Sequence, residues 1–173
     1  RRSQHEPIAY ILKEKEFWSK NFFVTTDTLI PRPETELMVE KLIRIFNGKT
    51  ISILDIGTGS GCILISLLCE LKNSNGLGID ISKKALKIAK INSKTHGTHN
   101  KIKFLKKSLD AEFYKKFDLI VSNPPYIKSS EIKNLQEDVK KFEPILALDG
   151  GNDGLDLIKK VIYKTKDILK SNG

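Results

Sequence analysis

A glycine loop between an apolar strand and an apolar helix constrains the fold of this chain more than any other feature. The segment Ile51–Ile56 is largely apolar, as expected of a buried strand, and Gly57–Gly61 follows it directly. The next segment, Cys62–Leu71, is apolar almost all round, which is typical of a buried helix. Glycines at such a junction permit a tight turn and let a ligand approach the backbone closely. Because a helix N-terminus adds free N–H donors, the pattern predicts a ligand-binding loop.

Strand-like and helix-like segments alternate along the rest of the chain. The predicted strands are Gly76–Ile81, Lys101–Leu105 and Phe117–Ser122. The predicted helices run from Pro33 to about Phe46, from the cap Ser82 to Gly97 with Ala85, Leu86 and Ala89 on the apolar face, and over Leu155–Leu169 with Asp153 as cap. Such alternation predicts right-handed βαβ units and a mainly parallel sheet with helices on both faces, an α/β Rossmann-like fold. Ahead of it, Tyr10–Thr26 predicts a β-hairpin that turns at Ser19-Lys20-Asn21.

The length of 173 residues supports one domain with a hydrophobic core. We assign residues 1–30 to a linker and hairpin that lead into a domain spanning residues 31–173. The chain begins at Arg1 without an initiator methionine and stops at Gly173 in a turn of the kind that precedes a strand. We therefore expect a fragment whose sheet lacks its terminal strands. No stretch approaches the roughly 18–20 uncharged apolar residues of a membrane helix.

The net charge of +9 suggests an acidic partner, and nucleic acid is the obvious candidate. However, 26 of the 30 basic residues are lysines spread over the predicted helices and strands. Arginine, the usual reader of phosphate and guanine, occurs at only four positions. Solvated lysine faces are therefore the preferred interpretation of the charge.

The two cysteines indicate neither a disulfide nor a metal site. On one predicted helix, Cys62 and Cys69 have Cα atoms roughly 10 Å apart, whereas a disulfide needs less than about 7 Å. The sequence has no Cys-x-x-Cys and no Cys/His cluster, so we predict no bound metal. Free thiols favour a reducing compartment, and we expect a cytoplasmic location.

Three polar features, the glycine loop, Asp80 and Asn123, fall at the carboxyl ends of predicted strands, where parallel α/β sheets bind their ligands. The loop lacks the last glycine of a dinucleotide fingerprint, because Cys62 occupies that position, and no Gly-Lys-Ser/Thr of a phosphate loop follows. It looks more like the loop of S-adenosylmethionine enzymes. Its candidate cofactor-binding residues are Gly57, Thr58, Gly59, Ser60 and Gly61. Asp80 can accept both hydroxyls of a ribose; the alternative is a helix-capping aspartate ahead of Ser82.

The segment Asn123–Tyr126, Asn-Pro-Pro-Tyr, ends the predicted strand Phe117–Ser122 abruptly. Its two prolines fix φ and bias Asn123 toward an extended conformation, which holds the side-chain amide at the strand end. Prolines donate no backbone hydrogen bonds, so the stretch offers mainly carbonyl acceptors, which suit a substrate that brings an NH2 group. Tyr126 offers a flat face for that group to pack against. The alternative is an ordinary strand-ending turn.

Together with the Asp-x-Gly-x-Gly-x-Gly loop, Asn-Pro-Pro-Tyr is similar to amino-methyltransferases that use S-adenosylmethionine. The stretches that narrow the resemblance are Pro7-Ile8-x-Tyr10-Ile11, Leu29–Glu36, Phe142-Glu143-Pro144 with Ala147-Leu148, and Gly150-Gly151-x-Asp153-Gly154-Leu155. From about Glu6 to Gly173 the chain resembles the protein-(glutamine-N5) methyltransferases of peptide chain release factors, the PrmC/HemK family. The resemblance implies that residues 31–173 are a methyltransferase catalytic domain. It also implies methyl transfer from S-adenosylmethionine, with S-adenosylhomocysteine as product, to the glutamine of the release factors' Gly-Gly-Gln motif.

Members of that family carry a helical N-terminal domain and a sheet completed to seven strands, and we find no counterpart of either. Some members are fused to a second methyltransferase that acts on tRNA guanine N7, so a bifunctional protein is another arrangement that the resemblance allows. The implied catalytic residues are Asn123, Pro124 and Tyr126, and the implied substrate-binding residues are Asn123, Pro124, Pro125 and Tyr126. Asp80, Ser108 and Asn123 join the glycine loop as implied cofactor-binding residues.

For each of three further side chains the sequence allows two roles. Phe22 or Phe23 could cover the cofactor or belong to the core. Arg32 could reach the methionine carboxylate or form an ion pair with Glu34 or Glu36.

The alternative function is an adenine-N6 DNA or RNA methyltransferase, which shares Asn-Pro-Pro-Tyr and which the net charge favours. The scarcity of arginine and the lack of a base-recognition segment count against it.

Overall fold

The computed structural model describes the chain from Arg1 to Gly173 as alternating helices and strands. In chain order they are α1 (Ile8–Leu12), β1 (Glu14–Phe17), β2 (Lys20–Phe23), α2 (Glu34–Phe46), β3 (Ser52–Ile56), α3 (Cys62–Glu70), β4 (Asn75–Asp80), α4 (Lys83–Thr95), β5 (Ile102–Lys106), β6 (Leu119–Ser122), α5 (Glu137–Phe142) and α6 (Asp156–Ile168). Short 3₁₀ turns at Arg2–Gln4, Ser129–Asn134 and Ile145–Ala147 complete the chain. None of the helices combines the length and the apolar character that crossing a membrane requires.

Four parallel strands form the central sheet in the order β5-β4-β3-β6. The chain moves outward from β3 through β4 to β5 and then returns to the other side of β3 as β6. The strand order therefore reverses between β3 and β6, which is where open parallel sheets place their ligands. In register, Ile56 lies opposite both Ile79 and Ser122, so β3 and β6 end at the same level and β4 ends one residue later. This confirms the predicted α/β fold.

Helices cover both faces of the sheet, because successive residues of a strand point to opposite sides. Ile53 belongs to the larger core cluster, which includes residues from α2, α3 and α4, whereas Leu54 belongs to a smaller cluster with Ile168 of α6. Helix α3 is the most deeply buried of the helices, since every side chain from Ile63 to Leu68 is buried. Its nearly uniform apolar sequence reflects that position.

The predicted hairpin forms, but it turns one residue earlier than expected. Trp18 and Ser19 both adopt φ of 52°, the left-handed conformation of a two-residue hairpin turn. The Trp18 N–H donates to Glu36 of α2 at 2.9 Å, which ties this turn to the main domain. Phe17 and Phe22 are fully buried in the larger core cluster. The hairpin therefore shares the core of the sheet.

Two terminal elements differ from the predictions. Tyr10 lies on α1 rather than in a strand, and its side chain is buried beside Val24 and Ile30. The last helix begins at Asp156, and the Asp153 carboxylate instead accepts a hydrogen bond from the N–H of Leu155 at 2.8 Å. Asp153 therefore closes a turn before the helix and is not its cap.

Candidate active site

The glycine loop lies on the carboxyl edge of the sheet, held by the neighbouring strand. The N–H groups of Gly57 and Thr58 both donate to the Ile79 carbonyl, at 2.9 and 3.0 Å. The space in front of the loop is open, because a Cβ added at Gly57 would have no neighbour within 4 Å. Gly61 differs: with φ of +81°, its missing Cβ would lie 2.9 Å from Ile65 Cδ1. The early part of the loop thus faces free space, and Gly61 allows α3 to pack closely.

Asp80 ends β4 with its carboxylate turned toward the glycine loop. Its Oδ2 accepts from the Gly59 N–H at 3.0 Å, and its Oδ1 accepts from the Ser82 N–H at 2.8 Å. Ser82 itself caps α4, since its hydroxyl accepts from the Ala85 N–H at 3.1 Å. Each oxygen of Asp80 has a further lone pair. Asp80 is therefore not the cap, and its half-buried carboxylate is oriented by two backbone donors.

Asp55 is an ionisable residue of the loop region that the sequence analysis treated only as part of a motif. It is buried at the end of β3, and its Oδ2 accepts from the Thr58 hydroxyl at 2.6 Å, whereas its Oδ1 has no partner. Burial is the main cause that raises the pKa of Asp55 to about 7; the Thr58 hydrogen bond opposes the rise and the nearby negative charge of Asp80 adds to it. The signal in the sequence was an acidic residue within an apolar strand.

Asn123 follows β6 directly, on the same edge as the glycine loop. Ser122 pairs in register with Ile56, and its hydroxyl donates to the Ile56 carbonyl at 2.8 Å. Because Gly57 follows Ile56, Asn123 and Gly57 leave adjacent strands at the same level. A cavity of about 300 Å³ opens here and is lined by Arg32, Glu34, Thr35, Met38, Ser122, Asn123 and Tyr126. The side chains of Asn123 and Tyr126 thus border one concave space.

Arg32 lines this cavity, but neither predicted carboxylate of α2 is its partner. Its guanidinium donates to Glu143 Oε1 at 2.6 Å, and the Ile30 N–H donates to Glu143 Oε2 at 3.2 Å. The Glu143 side chain is buried, with 2% exposed, against 33% for Arg32. Of the two alternatives for Arg32, the ion pair with Glu34 or Glu36 does not form, because the fold brings Glu143, 111 positions away, beside the Pro-Arg-Pro segment.

The other predicted side chains lie at differing distances from the cavity. Pro124 and Pro125 are half-buried beside Asn123, and Tyr126 is exposed. Ser108 is exposed two positions beyond the end of β5, where its hydroxyl donates to Asp110 at 3.1 Å. Ser108 thus lies past the outer strand of the same carboxyl edge. Phe22 is fully buried in the core and cannot cover a ligand, whereas Phe23 is half-buried.

Asn92 is a further polar residue that joins the hairpin to the glycine loop. It is 1% exposed on α4. Its Oδ1 accepts from the Phe23 N–H at 2.8 Å, and its Nδ2 donates to the carbonyls of Phe23 and Ser60 at 3.0 and 2.9 Å. One amide therefore pairs with β2 as a strand neighbour would and also holds the loop. No sequence signal separated Asn92 from the polar residues around it.

Comparison with known proteins places the chain among methyltransferases. A family model described as "Methyltransferase small domain" matches residues 33–152. In sequence, the chain is 45% identical over 173 residues to a release factor glutamine methyltransferase of Buchnera aphidicola subsp. Acyrthosiphon pisum, covering all of this chain and 62% of that protein. It is 42% identical to a bifunctional methyltransferase of Rickettsia typhi, of which it covers 37%.

A second release factor glutamine methyltransferase, from Bradyrhizobium diazoefficiens, is 43% identical over 177 residues, with all of this chain and 60% of that protein covered. The chain thus spans about 60% of the length of the release factor glutamine methyltransferases it matches.

Solved structures agree on the fold. The hMettl16 catalytic domain in complex with MAT2A 3′UTR hairpin 6 superimposes with a TM-score of 0.65 and 20% identity, over 84% of this chain and 56% of that one. A SAM-dependent methyltransferase from Thiobacillus denitrificans in complex with S-adenosyl-L-homocysteine gives a TM-score of 0.53 and 19% identity, over 82% and 46%. Strand order, glycine loop and sequence similarity coincide, and the chain belongs to the methyltransferase small domain family.

Proposed function

We propose that this chain carries the catalytic site of an S-adenosylmethionine-dependent protein-(glutamine-N5) methyltransferase that acts on the Gly-Gly-Gln glutamine of peptide chain release factors. The observation that carries the proposal is the convergence of the glycine loop, Asp80 and Asn123 on one edge of the sheet. Similarity to release factor glutamine methyltransferases over the whole chain supports the choice of substrate. In this proposal residues 31–173 form the catalytic domain and residues 1–30 the linker and hairpin.

The residues of this edge fit S-adenosylmethionine. Open space in front of Gly57 leaves room for a ligand against the backbone. The Asp80 carboxylate, oriented by Gly59 and Ser82, would accept the ribose hydroxyls. Ser60 and Ser108 lie on the same carboxyl edge as further candidate contacts. Bound here, the cofactor would supply an electrophilic methyl group on a sulfonium.

Two side chains would complement the positive and the negative groups of such a ligand. Asp55 Oδ1 is a buried acceptor with no partner at the base of the loop, and it suits a positively charged ligand. Arg32, which lines the cavity and is one-third exposed, would attract a carboxylate, although one of its donors is already used by Glu143.

Orientation of the substrate amide is the main task of Asn-Pro-Pro-Tyr in this mechanism. An amide nitrogen is a poor nucleophile, because its lone pair is delocalised into the carbonyl. The Asn123 side-chain oxygen and the Pro124 carbonyl would accept the two N–H bonds of the glutamine, which turns the nitrogen lone pair toward the methyl group. Placement of this kind can supply several kcal/mol.

The same acceptors stabilise charge. Positive charge grows on the amide nitrogen as the new bond forms, so acceptors at its hydrogens stabilise the transition state more than the ground state. Tyr126 borders the cavity and would confine the amide by packing. Pro125 donates no hydrogen bond that could compete for these acceptors. After methyl transfer, one of the two amide protons would pass to solvent.

Adenine-N6 methylation of nucleic acid is the alternative, and the net charge of +9 is the observation that favours it. An adenine amine would meet the same acceptors at Asn123. The two functions therefore differ in the macromolecule that delivers the NH2 group, and substrate preference separates them.

The direct test incubates the full-length protein with labelled S-adenosylmethionine and one substrate at a time: a release factor, duplex DNA or structured RNA. Mass spectrometry then maps the labelled atom. We expect label on the glutamine of Gly-Gly-Gln and none after that glutamine is changed to alanine. Label on adenine alone would establish the alternative, and label on no substrate would contradict a methyltransferase role.

A further inference from the structure

The segment Leu148–Gly154 runs beside the chain as it leaves Asn-Pro-Pro-Tyr. The Ile127 N–H donates to the Leu148 carbonyl at 3.1 Å, and the Gly150 N–H donates back to the Ile127 carbonyl at 2.8 Å. Ile127 and Asp149 consequently form an isolated parallel bridge outside the main sheet. We call Leu148–Gly154 the buttress loop. It contains most of a glycine-rich stretch to which the mechanism above assigns no task.

A second set of hydrogen bonds joins the buttress loop to Ser129, two residues beyond Ile127. Asp149 Oδ1 accepts from the Ser129 hydroxyl at 2.6 Å and from the Gly151 N–H at 2.9 Å. The Ser129 N–H donates to the Gly151 carbonyl at 2.9 Å. The chain that follows Tyr126 is therefore held by the buttress loop at two alternate positions, Ile127 and Ser129.

Two glycines bring the buttress loop unusually close to the catalytic segment. A Cβ at Gly154 would lie 2.5 Å from the carbonyl oxygen of Tyr126. A Cβ at Gly150 would lie 2.8 Å from Tyr126 Cα and 2.9 Å from the Pro125 carbonyl oxygen. Such approaches are below any ordinary van der Waals distance, and the atoms concerned are backbone, which cannot rotate away as a side chain could. The loop therefore determines where the backbone from Pro125 to Tyr126 can lie.

We infer that the buttress loop positions the Asn-Pro-Pro-Tyr backbone for catalysis, with Gly154 as a positioning residue that sets the place of Tyr126. The inference rests on the proposed function, because it assigns the acceptors of the substrate amide to this backbone. Gly154 does not touch the substrate. It acts through Tyr126 and the neighbouring carbonyl groups, which a side chain at position 154 would displace.

Gly48 supplies a matched control for Gly154. Both adopt positive φ, +78° at Gly154 and +72° at Gly48, so alanine at either position has a similar backbone strain. A Cβ at Gly48 would have no neighbour within 4 Å. Any effect of Gly154→Ala beyond that of Gly48→Ala therefore comes from the displaced Tyr126 carbonyl and not from the strain.

The test compares Gly154→Ala and Gly48→Ala in the full-length protein by single-turnover methyl transfer to a release factor and by calorimetric affinity for S-adenosylmethionine. Because a 1 Å misplacement can cost about 10²-fold in rate, we expect Gly154→Ala to be slower by a factor of this order. We expect Gly48→Ala to keep the wild-type rate, and both variants to keep their cofactor affinity. Equal rates for the two variants would overturn the inference.

Two further measurements test the displacement of the backbone directly and cover the case in which Gly154→Ala does not fold. Amide chemical shifts of Tyr126 and Ile127 report the backbone position directly, and we expect them to move in Gly154→Ala and to stay in Gly48→Ala. If Gly154→Ala does not fold, Asp149→Ala removes the bonds to Ser129 and Gly151 without adding volume, and we expect a smaller loss of rate. A wild-type rate in Asp149→Ala would then contradict the inference. Absence of transfer by the wild-type protein would instead refute the proposed function.

Discussion

The carboxylate of Asp80 accepts a hydrogen bond from the backbone N–H of Gly59 at 3.0 Å, which joins the end of β4 to the glycine loop. Its other oxygen accepts from the Ser82 N–H, so the side chain is oriented before any ligand binds. Binding of a ligand to Asp80 therefore costs little side-chain entropy, because the carboxylate is already held in place.

Asp80→Ala is expected to weaken binding of S-adenosylmethionine by roughly 10- to 150-fold, the effect of losing one charge-assisted hydrogen bond. Calorimetry measures the affinity, and far-UV circular dichroism verifies that the variant is folded. Asp167→Ala, a change at an exposed position of α6, serves as the control and is expected to bind normally. Unchanged affinity in a folded Asp80→Ala protein would mean that Asp80 only orients the backbone of Gly59 and Ser82 and does not bind the cofactor.

Asn92→Ala is expected to destabilise the domain by about 2–4 kcal/mol, because it leaves the N–H and carbonyl of Phe23 and the carbonyl of Ser60 without their partner. Urea unfolding measures the loss. Ser93→Ala is the control, since that neighbouring buried hydroxyl bonds only within its own helix, to Lys90. Similar losses of unfolding free energy in both variants would mean that the Asn92 hydrogen bonds between hairpin and loop stabilise the domain no more than a hydrogen bond within one helix.

The raised pKa of Asp55 predicts that the stability of the domain depends on pH. Its pKa in the folded chain is about 7, above the ordinary 3.8, so the folded state binds the proton more tightly than the unfolded state. The stability from this group is complete below about pH 4 and is lost as the pH rises through 7. A pKa difference of this size corresponds to roughly 4 kcal/mol of unfolding free energy.

Urea unfolding of the wild type and of Asp55→Asn across pH 4 to 8 isolates this effect. The amide cannot ionise, so we expect the variant to gain stability relative to the wild type as the pH rises through this range. The comparison matters because burial lowers the pKa of His96, which acts in the opposite direction near pH 6. A difference between the two proteins that does not vary with pH would contradict the assigned titration.

Glu143→Ala is expected to cost about 2–3 kcal/mol of unfolding free energy, less than a fully buried pair because Arg32 is 33% exposed. Removal of the carboxylate leaves the Arg32 charge and the Ile30 N–H without their partner. Glu143→Gln, which retains an acceptor, is expected to lose less. Glu137→Ala, which removes the surface ion pairs with Lys140 and Lys141, is the control and is expected to change the stability little. A loss in Glu143→Ala no larger than in that control would show that the buried pair is dispensable.

The parts of the fold that could be predicted are those that local sequence determines. Ile51–Ile56, the glycine loop and the apolar helix after it are contiguous, and their order alone places the loop on the carboxyl edge of a parallel sheet. The same rule brings Asp80 and Asn123 to that edge. These features needed no knowledge of which distant residues meet.

Other parts depend on contacts between distant segments. Glu143 is the partner of Arg32 only because the chain returns to the Pro-Arg-Pro segment, and the nearer Glu36 is instead used by the Trp18 N–H. Asn92 resembles any polar residue of a lysine-rich helix until β2 is placed against it. Helix α1 has five residues and an apolar run without helical periodicity, so its sequence resembles a strand.

Asn123 provides the most direct test of the central claim, that the end of β6 holds the substrate amide for methyl transfer. Single-turnover transfer to a release factor is measured for Asn123→Ala, with affinity for S-adenosylmethionine determined separately. By analogy with loss of an oxyanion-hole donor, we expect a rate lower by about 10²–10³ and an affinity within about tenfold of the wild type. Asn123→Asp, which keeps an acceptor, is expected to retain partial activity. A near-normal rate for Asn123→Ala would contradict the mechanism.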